Sequence, residues 1–489
     1  MTTRETAIDL AEAYYDSGEF LADLRRRVAF PTQSPPPDGT GPLRTYLTDE
    51  LAPAVSRLGA TVRIVDNPVP GAGPFLLAHR HEADDLPTVL VYGHGDVVPG
   101  QDGRWRTGLS PWELVVEGDR LYGRGTADNK GQHTVNLAAL EQVLAARGGR
   151  LGFNLKVLVE TGEESGSPGL HETCRRLKED LAADLLIASD GPRLAAGRPT
   201  LLLGSRGAAN FRLRVALREG AHHSGNWGGA LRNPATVLAG ALAALVDARG
   251  RILVEGLRPP ALPEPVASAL AGLTVGGGDD DPDVDTDWGE PGLTPAERVF
   301  GWNTLEVLTL AAGDPAKPVG AIPGTAHADV QLRFVVGTPW RDLERIVRDH
   351  LDAHGLSTVD VEVLQAVPAT RLSPDDPWVG WAVDSLRHTT GKEPAVLPNL
   401  GGTLPNDAFA DILGLPTVWI PHSHPSCSQH APDEHLLGAV AREGLRIMAG
   451  LFWDLGERRR ARPGAVSGPA RMRPLPEVES WWSTGTANP

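Results

Sequence analysis

Short apolar runs alternate with longer amphipathic stretches in the first 190 residues of the chain. Their spacing predicts helices over 6–30, 130–146 and 169–180, and strands over 61–65, 75–78, 88–92, 154–160 and 184–188. Strands that alternate with helices are typical of an α/β fold with a largely parallel sheet.

The pattern changes after Arg206 and changes back near residue 371. Residues 211–217 and 328–335 alternate apolar and polar side chains, as half-exposed strands do, and helices are predicted over 232–248 and 341–354. Helix 376–389, strand 416–420 and helix 436–455 then resume the α/β pattern. We therefore predict a discontinuous α/β domain of residues 1–205 and 371–489, interrupted by an α+β domain of residues 206–370.

Residues 255–298 are rich in Gly, Pro and Asp and predict a long loop, and the tail from Glu457 onward predicts irregular structure. The aspartates at 281, 283, 285 and 287 suggest a calcium loop. Such a loop needs Gly at its sixth position and Glu at its twelfth, where this chain has Thr286 and Gly292. We therefore expect a solvated acidic loop.

Composition narrows the choice of protein class. A chain of 489 residues exceeds the size at which one core stops growing, so two domains are expected. The formal net charge of −16 argues against nucleic acid as a partner. The chain has only two cysteines, so a disulfide framework is not expected. Its N-terminus is amphipathic and lacks the apolar core of a signal peptide, and no apolar run reaches about 18 residues. We therefore predict a cytoplasmic protein without a membrane partner.

Residue types that bind metals follow predicted strands in five segments. They are Tyr92-Gly93-His94-Gly95-Asp96, Gly125-Thr126-Ala127-Asp128-Asn129-Lys130-Gly131, Glu160-Thr161-Gly162-Glu163-Glu164-Ser165-Gly166-Ser167, Ser189-Asp190-Gly191 and Gln429-His430-Ala431-Pro432-Asp433-Glu434. Singly, each has an ordinary explanation: a structural histidine, a helix N-cap or a solvated turn. Together they place His, Asp, Glu, Asp and His on the edge of the sheet where sites form in α/β proteins.

In this order the segments resemble the co-catalytic zinc peptidase family, which includes carnosinases, cytosolic nonspecific dipeptidases, aminoacylases, glutamate carboxypeptidases and succinyl-diaminopimelate desuccinylases. The resemblance extends over residues 10–455, and the strings at 126–131 and 163–167 are most similar to the carnosinase and dipeptidase branch. It implies a three-layer, phosphorylase/hydrolase-like catalytic domain that binds two metals, with residues 206–370 as an inserted lid and dimerisation domain.

The resemblance also implies a role for each residue of the metal site. His94 and Asp190 would hold one Zn²⁺, Glu164 and His430 the other, and Asp128 would bridge both and precede a cis peptide to Asn129. Glu163 would be the general base that activates a metal-bridging water, and Asp96 would orient His94. Mn²⁺ or Co²⁺ could replace Zn²⁺.

Further segments resemble the family's lid and substrate loop. His223, in Ala221-His222-His223-Ser224-Gly225, would reach the active site of the partner subunit in a homodimer. Arg333 would bind the substrate carboxylate, and Gly401, Gly402 and Thr403 would hold the same end of the substrate. The family's usual Asp-Leu is Ala221-His222 here, and the segment 421–427 departs from the Gly- and Asp-containing loops of relatives, so His422 and His424 could line the pocket or serve only the loop.

The resemblance implies a hydrolase of amide bonds, either a dipeptidase or carboxypeptidase-like enzyme acting on small peptides. An N-acyl amino acid deacylase is the alternative, and a metal-binding protein without catalysis is a third hypothesis that the complete ligand set disfavours. A dehydrogenase is also disfavoured, because no Gly-x-Gly-x-x-Gly lies between a strand and a helix.

Overall fold

The computed structural model describes residues 3–278 and 281–458. The strands are β1 (Thr61–Val65), β2 (Phe75–Arg80), β3 (Thr88–His94), β4 (Val115–Glu117), β5 (Arg120–Tyr122), β6 (Asn154–Glu160), β7 (Leu185–Ala188), β8 (Thr200–Leu202), β9 (Gly207–Ala216), β10 (His222–His223), β11 (Thr304–Ala312), β12 (Ala321–Ile322), β13 (Thr325–Phe334), β14 (Val359–Val367), β15 (Ala395–Leu397), β16 (Thr417–Trp419) and β17 (His435–Leu437).

The α-helices are α1 (Arg4–Asp16), α2 (Glu19–Val28), α3 (Gly41–Thr45), α4 (Ala52–Arg57), α5 (Lys130–Ala146), α6 (Leu170–Arg176), α7 (Lys178–Leu181), α8 (Ser224–Trp227), α9 (Pro234–Leu245), α10 (Glu264–Leu270), α11 (Pro295–Gly301), α12 (Leu343–Ala353), α13 (Pro377–Thr390) and α14 (Gly438–Gly456). Two π-helical segments, Tyr46–Leu51 and Ala408–Leu413, lie between them. The predicted irregular tail lies outside the described residues from 459 onward.

A mixed sheet of eight strands, in the order β1-β2-β6-β3-β7-β16-β8-β15, forms the middle layer of the larger domain. The neighbours of β3 are parallel to it, whereas β1 and β2 form an antiparallel edge. Alternate side chains of each strand enter two different cores: Val89 and Val91 of β3 pack with α1, α5 and α14, while Leu90 and Tyr92 pack with α6 and α10. Helices on both faces make three layers, which confirms the predicted α/β class.

A separate antiparallel sheet, in the order β11-β13-β9-β14, is formed by residues of the inserted region. Its inner face packs on α9 and α12, and β9 contributes Phe211, Leu213 and Val215 to that core. The intervening residues of β9 face outward, which explains the alternation seen in the sequence. The boundaries 205/206 and 370/371 of the two domains stay a prediction.

Three predicted elements differ from the structure. The single helix predicted over 169–180 is two short helices, α6 and α7, which meet at Leu177. The single helix over 6–30 is two helices, because Gly18 adopts a left-handed backbone (φ 85°) between α1 and α2. The loop over 255–298 is wrong in part, because α10 lies within it and α11 begins in it, and these helices bury Leu270 and Phe300 in the second core. The acidic segment 281–287 has no helix or strand and is mostly exposed, as expected.

Within residues 3–278 and 281–458, no helix combines the length and the apolar character that crossing a membrane requires.

Candidate metal centre

The five predicted ligands come from strand ends and loops along one edge of the central sheet. His94 is the last residue of β3, Glu164 lies in the turn after β6, and Asp190 lies two residues beyond β7. Asp128 immediately precedes the Asn129 cap of α5, and His430 lies in the loop between β16 and β17. Because β6, β3 and β7 run parallel side by side, their carboxyl ends meet at this edge.

These side chains form two groups that could each hold a metal ion, and Asp128 belongs to both. His94 Nε2 lies 3.0 Å from Asp128 Oδ1 and 3.4 Å from Asp190 Oδ2. His430 Nε2 lies 3.0 Å from Asp128 Oδ2 and 3.1 Å from Glu164 Oε2. In each group the ligand atoms all lie within 4.8 Å of one another. One oxygen of Asp128 therefore faces each group, which is the arrangement of a carboxylate shared by two metals.

Charge makes the same groups a fit for divalent cations. Burial, together with the nearby carboxylates Asp190, Glu164 and Asp128, raises the pKa of Glu163 well above its ordinary value. Burial and the charge of Asp128 raise the pKa of Glu164 to about 7. Several carboxylates brought together away from water repel one another, and metal cations relieve that repulsion.

The histidines and one carboxylate oxygen also indicate a ligand. Hydrogen bonds to Asp128 and Glu164 raise the pKa of His430 to about 11. Burial acts to lower the pKa of His94, but hydrogen bonds to Asp128, Asp190 and Asp96 hold it well above its usual range. In the described part of the chain, Glu164 Oε1 is buried and has no hydrogen-bond partner. An imidazole between carboxylates and an unpartnered carboxylate oxygen are both satisfied when a metal is coordinated.

Asp96 lies beside His94, where the resemblance places it, and has a second set of contacts. Its main-chain oxygen is 3.1 Å from His94 Nδ1, and its carboxylate Oδ1 is 3.5 Å from the same nitrogen. The carboxylate also accepts hydrogen bonds from the backbone N–H groups of Glu163 and Glu164, at 3.2 and 3.1 Å. Asp96 therefore links His94 to the Glu163–Glu164 turn.

The bond between Asp128 and Asn129 is a cis peptide, as the resemblance implies. The Asn129 side chain donates to the main-chain oxygen of Ser189, 2.8 Å away, directly before Asp190. This bond ties the two loops that carry Asp128 and Asp190.

The predicted substrate residues come together where the end of β13 meets the loop 401–403. Arg333 donates through Nη1 to Thr403 Oγ1 at 2.7 Å and through Nε to the side-chain oxygen of Gln331 at 2.8 Å. Burial lowers its pKa, and no carboxylate within the described ranges pairs with it. Gly401 and Gly402 precede Thr403 in the same loop. An unpaired guanidinium beside a hydroxyl is suited to binding a carboxylate.

Arg206 joins this group, although no motif in the sequence singles it out. It donates through Nε to the main-chain oxygen of Gly401 at 3.0 Å, and its own main-chain oxygen accepts from Thr403 Oγ1 at 3.1 Å. Burial, followed by the nearby charge of Arg333, lowers the pKa of Arg206 to about 10.

His223 is placed apart from the metal centre. It lies in β10, exposed, and its Nδ1 accepts a hydrogen bond from the N–H of Gly225. In the part of the chain that the structure covers, no hydrogen bond or ion pair joins it to the candidate ligands.

Two side chains of the loop before His430, those of His422 and Cys427, are buried in the protein. His422 is fully buried and lies against Gly444, so it does not line an open pocket. Burial raises the pKa of the Cys427 thiol to about 12, as expected for a packed cysteine rather than a nucleophile. Gln429, which had no predicted role, donates a hydrogen bond from its side-chain amide to Asp128 Oδ2.

Known proteins resemble this chain over most of its length. The model of peptidase family M20/M25/M40 matches residues 90–454. The chain is 30% identical to a cysteinylglycine-S-conjugate dipeptidase of Corynebacterium striatum, over 68% of this chain and 72% of that protein. It is 27% identical to the Beta-Ala-His dipeptidase of Mus musculus, over 90% of this chain and 93% of that protein.

A solved structure shares this likeness over most of the chain. An M20 family metallo-carboxypeptidase from Sulfolobus solfataricus superposes with a TM-score of 0.75 at 25% identity, covering 90% of this chain and 99% of that one. The family match spans the five metal-ligand segments and most of the chain. The chain therefore belongs to peptidase family M20/M25/M40, and it is a metal-dependent hydrolase of peptide C–N bonds.

Proposed function

We propose that this protein is a dipeptidase with two Zn²⁺ ions, for which Mn²⁺ or Co²⁺ can substitute. His94 and Asp190 would hold one ion, Glu164 and His430 the other, and Asp128 both. The observation that carries the proposal is the shared carboxylate, because each oxygen of Asp128 lies 3.0 Å from the histidine of a different group. When bound, paired metals polarise the scissile carbonyl and make a water molecule a nucleophile at neutral pH.

Glu163 is the general base of this proposal. It lies beside Glu164 in the turn after β6, where a carboxylate can take a proton from the attacking water and then deliver it to the leaving amine. Asp96 supports it, because the Asp96 carboxylate binds the Glu163 and Glu164 backbone N–H groups and so fixes the turn between base and ligand.

Arg333 and the loop Gly401–Gly402–Thr403 would bind the carboxylate of the substrate. Arg333 has no acidic partner among the described residues, and it already holds Thr403 in place. The amino acid of the substrate that carries this carboxylate would be the leaving group. A dipeptide therefore fits the site better than an internal segment of a long peptide.

Names of relatives favour dipeptides over the alternatives. Two relatives are named for dipeptides, whereas the Sulfolobus protein is named a carboxypeptidase. A carboxypeptidase-like activity on short peptides is compatible with the same carboxylate site, and an N-acyl amino acid deacylase would also use it.

The proposal includes a cytoplasmic location, for which the lack of a disulfide between Cys174 and Cys427 is the supporting observation.

The proposal also includes a homodimer in which the inserted domain contributes His223 to the partner's site. Strand β11 is an edge of the four-stranded sheet, and Leu308 and Leu310 on it are 54% and 60% exposed. An apolar free edge is a surface for pairing with another strand. His223 is exposed on the same domain, which leaves its ring free to reach a second subunit. There it would stabilise the negative charge that develops on the carbonyl oxygen.

We expect a substrate screen to place dipeptides first. Free dipeptides should be cleaved with a higher kcat/KM than N-acetyl, N-succinyl or N-carbamoyl amino acids, in assays supplied with zinc or manganese. Higher kcat/KM for the acylated amino acids would instead establish the deacylase alternative.

Glu163→Gln should retain both metals and lose turnover by about two to four orders of magnitude, because an amide cannot accept the proton. Metal content by mass spectrometry and kcat on the preferred dipeptide measure the two effects. Asp180→Asn, which removes an exposed carboxylate remote from the centre, is the matched control. Loss of metal from Glu163→Gln would mean that the roles of Glu163 and Glu164 are exchanged.

Arg333→Ala should lower kcat/KM for dipeptides with a free carboxylate, because the charged contact is removed. Dipeptide amides, already poor substrates, should change much less. The exposed Arg345, which pairs with Asp342 and Asp349, offers the control Arg345→Ala. Equal losses on acids and amides would remove Arg333 from carboxylate recognition.

Mixing two inactive variants, His223→Ala and Glu163→Gln, should restore activity if His223 acts across the dimer. A heterodimer would then have one site with both changes and one with neither. Random exchange makes about half of the dimers mixed, so activity should return to about a quarter of the wild-type value, from the two-fold symmetry of such a dimer. Proven exchange of subunits without recovered activity would show that His223 does not act in the partner subunit.

A further inference from the structure

A buried carboxylate outside the ligand set lies directly behind the metal centre. Glu434 is 1% exposed, and it forms an ion pair of 2.7 Å with Arg124, which is fully buried. Neither residue belongs to the two candidate metal groups. Glu434 follows His430 by four residues, and Arg124 precedes Asp128 by four.

The carboxylate of Glu434 binds the backbone of the loop that ends in Asp128. Its Oε1 accepts hydrogen bonds from the N–H groups of Gly125, Ala127 and Asp128, at 3.0, 3.0 and 3.1 Å. Oε2 accepts from Arg124 Nη1. Gly125 has a left-handed backbone (φ 88°), and a Cβ there would approach Lys130 and Val97 to about 3 Å. Converging N–H groups of this kind form an anion-binding concavity, and here an internal carboxylate fills it.

The main chain of Glu434 adds a further bond to the segment before Asp128. The main-chain oxygen of Glu434 accepts from the N–H of Gly123 at 3.1 Å, next to the pairing of β5 with β17. Through its side chain and its main-chain oxygen, Glu434 thus joins the segment after His430 to the segment before Asp128. The side chains of Asp128 and His430, which these two segments carry, approach each other to 3.0 Å in the second candidate metal group.

We propose that Glu434 is a positioning residue that sets the separation of Asp128 and His430 through the three loop N–H groups, so that it controls metal affinity without touching a metal. The inference rests on the proposed metal ligands. The contrasting explanation is a buried ion pair that only stabilises the fold. The two differ in which atoms matter: positioning requires an acceptor for the N–H groups, whereas an ion pair requires the opposite charges.

A matched pair of double variants separates these explanations. Removing Glu434 alone would leave Arg124 as an unpaired buried charge, which can prevent folding. Arg124→Met with Glu434→Gln removes both charges but keeps an oxygen for the three N–H groups, and it also removes the Arg124 donor to Pro99 O. Arg124→Met with Glu434→Leu has similar volume and no acceptor.

Titration of metal-free protein with Co²⁺, followed by visible absorption, measures the affinity directly. We expect the Gln double variant to bind close to wild type and the Leu double variant about 10–100-fold more weakly, the range found when outer hydrogen-bond partners of metal ligands are removed. Asp454→Asn, which breaks the partly buried pair with Arg4 between α1 and α14, should lower the melting temperature and leave Co²⁺ affinity unchanged.

Unchanged Co²⁺ affinity in a folded Leu double variant would overturn the inference. If the Leu double variant does not fold, the Gln double variant provides the test. Loss of Co²⁺ affinity in a folded Gln double variant would contradict positioning by hydrogen bonds. Wild-type protein that binds no pair of metals would overturn the proposed function, and with it the inference, and this result is distinguishable from a failure of the variants alone.

Discussion

The shared carboxylate of Asp128 is the constraint on which the rest of the centre depends. Its two oxygens face different ligand groups, and an imidazole approaches each of them at the same distance of 3.0 Å. The cost of burying Asp128 beside Glu164 and Asp190 is large without compensating positive charge. A metal-dependent enzyme supplies that charge, and the surrounding hydrogen bonds hold the ligands in place.

The fold positions these side chains by two different means. Parallel strands bring His94, the Glu163–Glu164 turn and Asp190 to one edge, so their neighbourhood follows from sheet order. Asp128 and His430 lie on loops, whose backbone needs other support. Glu434 and Arg124 provide it for Asp128, and the Asn129–Ser189 bond ties the same loop to the strand that leads to Asp190. The candidate centre therefore takes His94, Glu164 and Asp190 from the ends of strands, and Asp128 and His430 from loops.

Much of this organisation could be predicted from the sequence, because the signals are local. Strand β3 ends in His-x-Asp, and two adjacent glutamates follow β6, so both the chemistry and its place at a strand end could be identified. The alternation in β9 likewise reflects one buried and one solvated face. By contrast, β11 was missed because its outward residues Val307, Leu308 and Leu310 are apolar, which breaks the two-residue period.

Contacts between distant segments could not be predicted. Glu434 stood beside His430 in the sequence as an ordinary acidic residue, and only the fold shows that its partners lie about three hundred residues earlier. Arg206 gave no local signal either, since its bonds are to the loop around Gly401. His422 could have lined a pocket by composition alone, yet its ring is buried against Gly444, which has no side chain to exclude it. Contacts between residues far apart in the chain depend on how the whole fold packs. They leave no local pattern in a single sequence.

The most direct measurement is the anomalous diffraction of crystals grown with Zn²⁺ or Mn²⁺. Two metal peaks about 3.5–4 Å apart are expected at a co-catalytic site of this kind. One should contact His94 and Asp190, the other Glu164 and His430, and Asp128 should contact both through different oxygens. A single peak, or two peaks without a common Asp128 contact, would contradict the assignment of a two-metal centre.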